Sequence, residues 1–293
     1  QYMLLVAVFV LSSCSESSQQ TAKFIPADAA VVSIDVKQIF EKGKLADNAE
    51  AKGKLMENIE KIAKNQETKD LIKKIVDDPS KAGIDLREPV YFFATEQGSK
   101  QAVTATILSK DDLTEVANAM LKEDGKETVK EQDGIQYIEY GKTVIAYDDN
   151  AILLSDSYSL NDVIAKFKND DTKETMAESD DFTKLTDGKG FIKALIPMAF
   201  AEGQLGDVKK SLPEGAELKD LSLIMDLSTD KGEATLAMEC LMKSEVWKNY
   251  TKESAEICGK IGVDFLKYLP IGAFMMYANI VGKKMFETLD KKG

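Results

Sequence analysis

Between Lys126 and Ser155 four short runs of strand-forming residues follow one another with almost nothing between them, and this crowding constrains the fold more than any other feature. The runs cover about 126–131, 135–140, 143–147 and 151–155, and their connections are Asp133-Gly134, Gly141-Lys142 and Asp148-Asp149-Asn150. Asp and Asn bond to their own backbone and Gly takes left-handed dihedrals, so these are turn sequences. Connections this short cannot return a chain to the start of a parallel neighbour, so the strands pair antiparallel. Val90–Ala94 and Ala102–Leu108 form a second hairpin around Glu96-Gln97-Gly98-Ser99. A long one joins Asp220–Leu227 to Glu233–Met242 across Thr229-Asp230-Lys231-Gly232. Val31–Asp35 and Lys189–Leu195 read as further strands, the second broken by Ile196-Pro197.

Helical spacing fills the remainder. From Val36 to Asp78, Leu55, Ile59 and Ile62 and then Leu71, Ile72, Ile75 and Val76 recur on one face, and Asp78-Pro79 with Gly83 ends the region. Asp111 is expected to cap a helix to about Leu121, and Ser159 one to about Lys168. Ser244 is expected to cap a helix whose inward stripe is Trp247, Tyr250, Ser254, Ile257, Cys258, Ile261 and Phe265, ending near Leu269-Pro270. The sum is an α+β protein, antiparallel sheets with helices packed on one face. Phe24-Ile25-Pro26-Ala27-Asp28-Ala29 also aligns with Tyr268-Leu269-Pro270-Ile271-Gly272-Ala273, each before an apolar strand, so a repeated unit is expected. The expected layout is an α+β domain over 24–243, then a long helix and the start of a second, truncated α+β unit over 244–293.

Met3–Leu11 is an uncharged apolar run, far short of the ~20 residues of a membrane-spanning helix. It ends in Leu11-Ser12-Ser13-Cys14, followed by Ser15-Glu16-Ser17-Ser18-Gln19-Gln20. This resembles a bacterial lipoprotein signal peptide over 1–13, with Cys14 as the lipidated first residue of the mature chain and 14–23 as a polar tether. The chain opens Gln1-Tyr2 without the usual positive residues, so leading residues are expected to be missing. A diacyl or triacyl anchor gives stable membrane attachment. Serine after the cysteine suits the outer membrane, with the periplasmic or surface face left open.

The net charge of −12 argues against nucleic acid as a partner, because phosphate backbones recruit clusters of Lys and Arg. Histidine is absent, which removes Ser-His-Asp and Cys-His catalysis and most zinc sites. Arg87 is the sole arginine, so a bidentate anion clamp is available at one place only. Beyond Cys14, Cys240 and Cys258 remain; buried free thiols are expected over a disulfide.

Ser228-Thr229-Asp230-Lys231 has S-x-x-K spacing, but it falls at a hairpin tip rather than at a helix start, where a serine nucleophile needs it. The acidic groups 148–150, 169–171 and 180–181 lack calcium-loop spacing and are explained by turns and helix starts. No catalytic residue, metal ligand or cofactor is assigned. The candidate binding segment is Phe191–Phe200, in which Phe191, Leu195, Met198 and Phe200 supply apolar groups ahead of Gly203 and Gly206.

Cys14, Ile25-Pro26-Ala27-Asp28-Ala29 and the stretch Asp78-Pro79-Ser80-Lys81-Ala82-Gly83-Ile84-Asp85-Leu86-Arg87-Glu88-Pro89-Val90-Tyr91-Phe92-Phe93 together resemble a Bacteroidetes lipoprotein family known as domain of unknown function 4836. The resemblance covers most of the mature chain and implies an envelope lipoprotein, with no catalytic residues to carry over; members are typically longer. The expected role is a membrane-anchored, non-enzymatic binding or scaffolding module for an envelope protein, glycan or peptide. The alternative is an envelope hydrolase acting on glycan or peptide through carboxylates.

Overall fold

A computed structural model describes residues 19–43, 50, 53–54, 57, 65–95, 98–126, 128–169, 174–204 and 212–257. The segment 1–13 expected as a signal peptide, Cys14, Leu55, Ile59, Ile62, Cys258, Ile261, Phe265 and the second unit expected from Tyr268 lie outside these residues.

Ten strands form one antiparallel sheet. They are β1 (Ala30–Ile34), β2 (Val90–Thr95), β3 (Lys100–Thr106), β4 (Lys130–Gln132), β5 (Ile135–Tyr140), β6 (Thr143–Tyr147), β7 (Ala151–Ser155), β8 (Ile192–Pro197), β9 (Leu221–Asp230) and β10 (Glu233–Met242). Their spatial order is β10-β9-β8-β1-β2-β3-β7-β6-β5-β4. The sheet grows outward from β1, β2 and β3: the 130–155 meander returns to pair β7 with β3, and the last three strands add on the far side of β1.

The helices are α1 (Val36–Lys42), α2 (Gln66–Asp77), α3 (Lys110–Glu123), α4 (Leu160–Phe167), α5 (Asp180–Asp187) and α6 (Glu245–Ile257). One face of the sheet carries the main core. Val31, Tyr91, Phe93, Ala102, Leu153 and Leu195 project from their strands into it, under Val163, Ile164 and Phe167 of α4 and Phe182 and Leu185 of α5. Phe24 stacks on Phe167 with ring centroids 4.6 Å apart, and Tyr91 meets Phe182 at 5.3 Å. This is the expected α+β arrangement, gathered into a single sheet. The opposite face also receives a helix at one end of the strands. Thr114 Oγ1 of α3 donates to Gln136 Oε1 at 2.6 Å and lies 3.0 Å from the Tyr147 hydroxyl. Tyr147, Ile107 and Leu113 make a second, smaller core there.

The described residues divide into two compact units, one up to Ala201 together with Ser222–Leu241, the other Glu202–Leu221 with the residues from Met242 onward. In the second unit Trp247 is buried, and its Nε1 donates to Glu217 O at 2.8 Å. Tyr250, expected on the inward stripe of α6, is exposed, its ring edge-on to Trp247 with centroids 6.1 Å apart, while Ser254 is half-buried.

Several boundaries shift for identifiable reasons. Ser109, not Asp111, caps α3: its side chain accepts from Asp112 N at 3.2 Å. Pro197 ends β8 as its last paired residue, opposite Ser222, rather than breaking the strand at Ile196. The strand read over 126–131 contracts to Lys130–Gln132. Helix α5 follows Ser179 where only an acidic pair stood out in the sequence. Packing begins before residue 24, since Thr21 and Ala22 are already buried, so the tether expected over 14–23 is shorter. Ser244 precedes α6 and its carbonyl accepts from Lys248 N, yet its hydroxyl is buried without a hydrogen bond.

Candidate functional site

Side chains alternate across a strand, so a row of cross-strand partners shares one face. Away from the main core, one such row is apolar over eight strands. It runs Met225, Ala194, Val32, Phe92, Val103, Leu154, Ile145, Ile138, each directly opposite the next. Val32 and Leu154 keep 36% of their surface exposed and Phe92 keeps 43%. A second apolar row lies beside it, with Leu227 opposite Ile192, Ile192 opposite Ile34 and Ile34 opposite Val90. Isolated apolar groups on a surface are ordinary; a contiguous set marks an interaction site.

At the middle of this face is an open groove of about 560 Å³. Val32, Phe92, Val103, Leu154, Ile196 and Phe200 supply its apolar lining, and Gln101, Thr143 and Asp156 its polar margin. Gln101 is held in place from both sides of its peptide: its N–H donates to Ser157 Oγ at 2.8 Å, and its carbonyl accepts from Ser155 Oγ at 2.6 Å. The arrangement suits an apolar group lying across the strands, oriented by a few polar contacts at the rim.

The structure separates the four residues of the predicted binding segment. Phe200 lines the groove. Leu195 is fully buried in the main core, so its expected binding role is corrected to a structural one. Phe191 is half-buried, with Lys42 Nζ 5.5 Å from its ring centre, and neither it nor Met198 lines the groove. Strand geometry is the reason: Leu195 and Ile196 are adjacent in sequence and therefore point to opposite faces. The groove draws instead on Val32, Phe92, Val103 and Leu154 from four other strands. A signal for them existed in Val90-Tyr91-Phe92-Phe93-Ala94, an unbroken apolar run where a strand with one wet face would alternate.

Elsewhere several chemistry-bearing groups are engaged by the chain's own atoms. Arg87 spends its fork on Asp85, at 2.8 Å from Nε and 2.6 Å from Nη2, and this bonding lowers the Asp85 pKa. The displaced carboxylates Asp78, Asp85, Asp133 and Asp162 all move downward, each chiefly through a side-chain hydrogen bond. Asp148 Oδ1 closes its own turn by accepting from Asn150 N and Ala151 N, both at 2.8 Å. Asp181 accepts from Ser222 Oγ at 2.9 Å. Ser228 lies in β9, while Lys231 stands exposed in the turn beyond it. Lys193 and Ser33 are directly opposite on β8 and β1, facing the core, and Ser33 is fully buried. Among the described residues no three His, Cys, Asp or Glu side chains are grouped to hold a metal ion. None of the described helices is long and apolar enough to cross a membrane. Cys240, expected to be buried, is exposed on β10, and partial desolvation raises its thiol pKa.

The chain is similar to solved structures of TP0453. Crystal form I of TP0453 is 13% identical with a TM-score of 0.43, covering 83% of this chain and 88% of that one. Crystal form IV of the same protein is 14% identical with a TM-score of 0.41, covering 75% and 79%. No curated protein matches the chain. A family model described as a domain of unknown function (DUF4836) matches residues 22–293, and the chain belongs to that family.

Proposed function

We propose that this chain is a membrane-anchored lipoprotein of the bacterial cell envelope, attached through Cys14, that acts as a non-enzymatic binding or scaffolding module. The observation that carries the binding role is the apolar groove across β8, β1, β2, β3 and β7, with Phe92 and Phe200 in its lining. The partner is an apolar segment of an envelope protein or peptide. A glycan needs more convergent hydrogen-bonding groups than Gln101, Thr143 and Asp156 provide. The anchor rests on the pattern from Met3 to Cys14, and the outer membrane is its proposed location.

Two measurements test this. Intact mass of the full chain from its native envelope is expected to show residues 1–13 removed and Cys14 acylated; an unmodified thiol with those residues attached refutes the anchor. An anilinonaphthalene dye is expected to brighten on the wild-type protein and not on F92E/L154E. Equal brightening of the two proteins removes the groove as the binding surface. Turnover of glycans or peptides by the purified protein replaces the module with a carboxylate hydrolase.

A further inference from the structure

The apolar groove has a single charged residue in its lining, Asp156. Ser155, one residue before it, is opposite Ala102 of β3 and Val144 of β6. One step further along these antiparallel ladders, Gln101 and Thr143 stand on either side of Asp156. The three lie two residues from Val103, Leu154 and Ile145 of the apolar row. They therefore share its face and sit about 7 Å from it along the strands. The groove is laid out as two parallel lines, an apolar floor and a polar margin.

That margin is a line of acceptors. Gln101 Nε2 donates to Gly98 O at 3.1 Å, so the amide oxygen is the end left for a partner. Thr143 offers a hydroxyl and Asp156 two carboxylate oxygens. Asp156 is exposed and makes no hydrogen bond or ion pair among the described residues. The lysine beside Gln101 serves the other face, where Lys100 Nζ lies 5.3 Å from the Tyr158 ring centre. An apolar segment settling on Phe92 and Leu154 takes water away from Asp156. A carboxylate that loses water without gaining a cation is destabilised. An ammonium meets the need, with one positive charge, three donors and no acceptor against three accepting groups.

We propose that the groove selects a basic partner: an apolar peptide segment with a lysine beside its apolar residues, the ammonium seated on Gln101, Asp156 and Thr143. This rests on the groove being the binding surface. The net charge of −12 adds a long-range attraction for such a segment and repels an acidic one.

Three capped peptides test the selection on the full chain. They share Leu-Ala-Phe-Ala-Leu and differ only in the next residue, Lys, Gln or Glu. By fluorescence anisotropy the wild type is expected to bind the Lys peptide about threefold to fivefold more tightly than the Gln peptide, the scale of an exposed ion pair. The Glu peptide is expected to bind most weakly. Added salt is expected to shrink these differences, because it screens exposed charges. D156N is expected to bind the Lys and Gln peptides alike, and D156K to favour the Glu peptide. Both keep the wild-type far-UV spectrum, since the position is exposed. A Lys preference that survives in D156N overturns the inference, as does equal binding of all three peptides by the wild type. F92S/L154S, which strips apolar lining without adding charge, separates the two levels. Equal binding that is lost in F92S/L154S keeps the groove as the binding surface and refutes only the choice of partner. Peptides that bind F92S/L154S as well as the wild type, or bind neither protein, remove the groove and the inference together.

Discussion

Lys193 is 6% exposed on β8, and its Nζ donates to Thr186 O and Gly188 O, each at 3.0 Å. These carbonyls close the C-terminal end of α5, where a cation also complements the helix dipole. Burial lowers the lysine's pKa from its ordinary 10.5, against the opposing pull of Asp226, Asp35 and Asp187. A lysine whose folded pKa lies below its unfolded one is more protonated when unfolded. Its contribution to stability therefore rises with pH between the lowered folded value and 10.5, then levels off. Thermal melts from neutral to alkaline pH are expected to show this component in the wild type and not in K193M. K193M is also expected to lose about 1–3 kcal/mol at neutral pH, since its two carbonyl partners are left unpaired. Identical pH profiles for the two proteins refute the assignment. Nothing around Lys193 in sequence announces this burial. It depends on β1 and β9 flanking β8 and on α5 ending above it, contacts between residues far apart along the chain.

Among the elements, the meander was the most legible. The strands read at 135–140, 143–147 and 151–155 match β5, β6 and β7, because alternation and turn residues are local signals that tertiary packing has no reason to override. Ser159 was equally legible: it and Asp162 form a reciprocal capping box that starts α4. Gly83 was read as a turn residue, but its constraint is stronger than the sequence shows. It has φ +77°, and a Cβ there meets Leu113 N of α3 and lies 2.6 Å from Ser109 O. Its carbonyl also accepts from Leu108 N and Ser109 N. G83A is expected to cost about 2–4 kcal/mol in chemical denaturation, combining left-handed strain with overpacking against backbone. G134A, at φ +82° with nothing within 4 Å of the added carbon, pays the conformational penalty alone and costs about 1 kcal/mol. Equal losses remove the close-approach explanation. The cap of α3 was misread because Ser109, Asp111 and Asp112 all suit a helix start, and only the hydrogen bond to Asp112 N distinguishes them.

For the first compact unit as a whole, the sheet separates two kinds of apolar residue that look alike in sequence. Leu195 and Phe92 both sit in apolar runs, yet the first is fully buried and the second is 43% exposed. L195A is expected to cost about 2–5 kcal/mol, the range for a buried leucine that leaves a cavity. F92S is expected to change stability by less than about 1 kcal/mol while removing dye binding. A large destabilisation by F92S contradicts the view that this face is free for a partner. Composition, periodicity and turn chemistry determined the antiparallel α+β class and most strand positions, because each depends on residues near one another in the chain. Which face of each strand meets the helices was decided only by the tertiary structure. A register that pairs Val32 with Phe92 and Val103 with Leu154 joins residues about fifty to sixty positions apart, and pairing at that distance follows from the whole sheet packing at once.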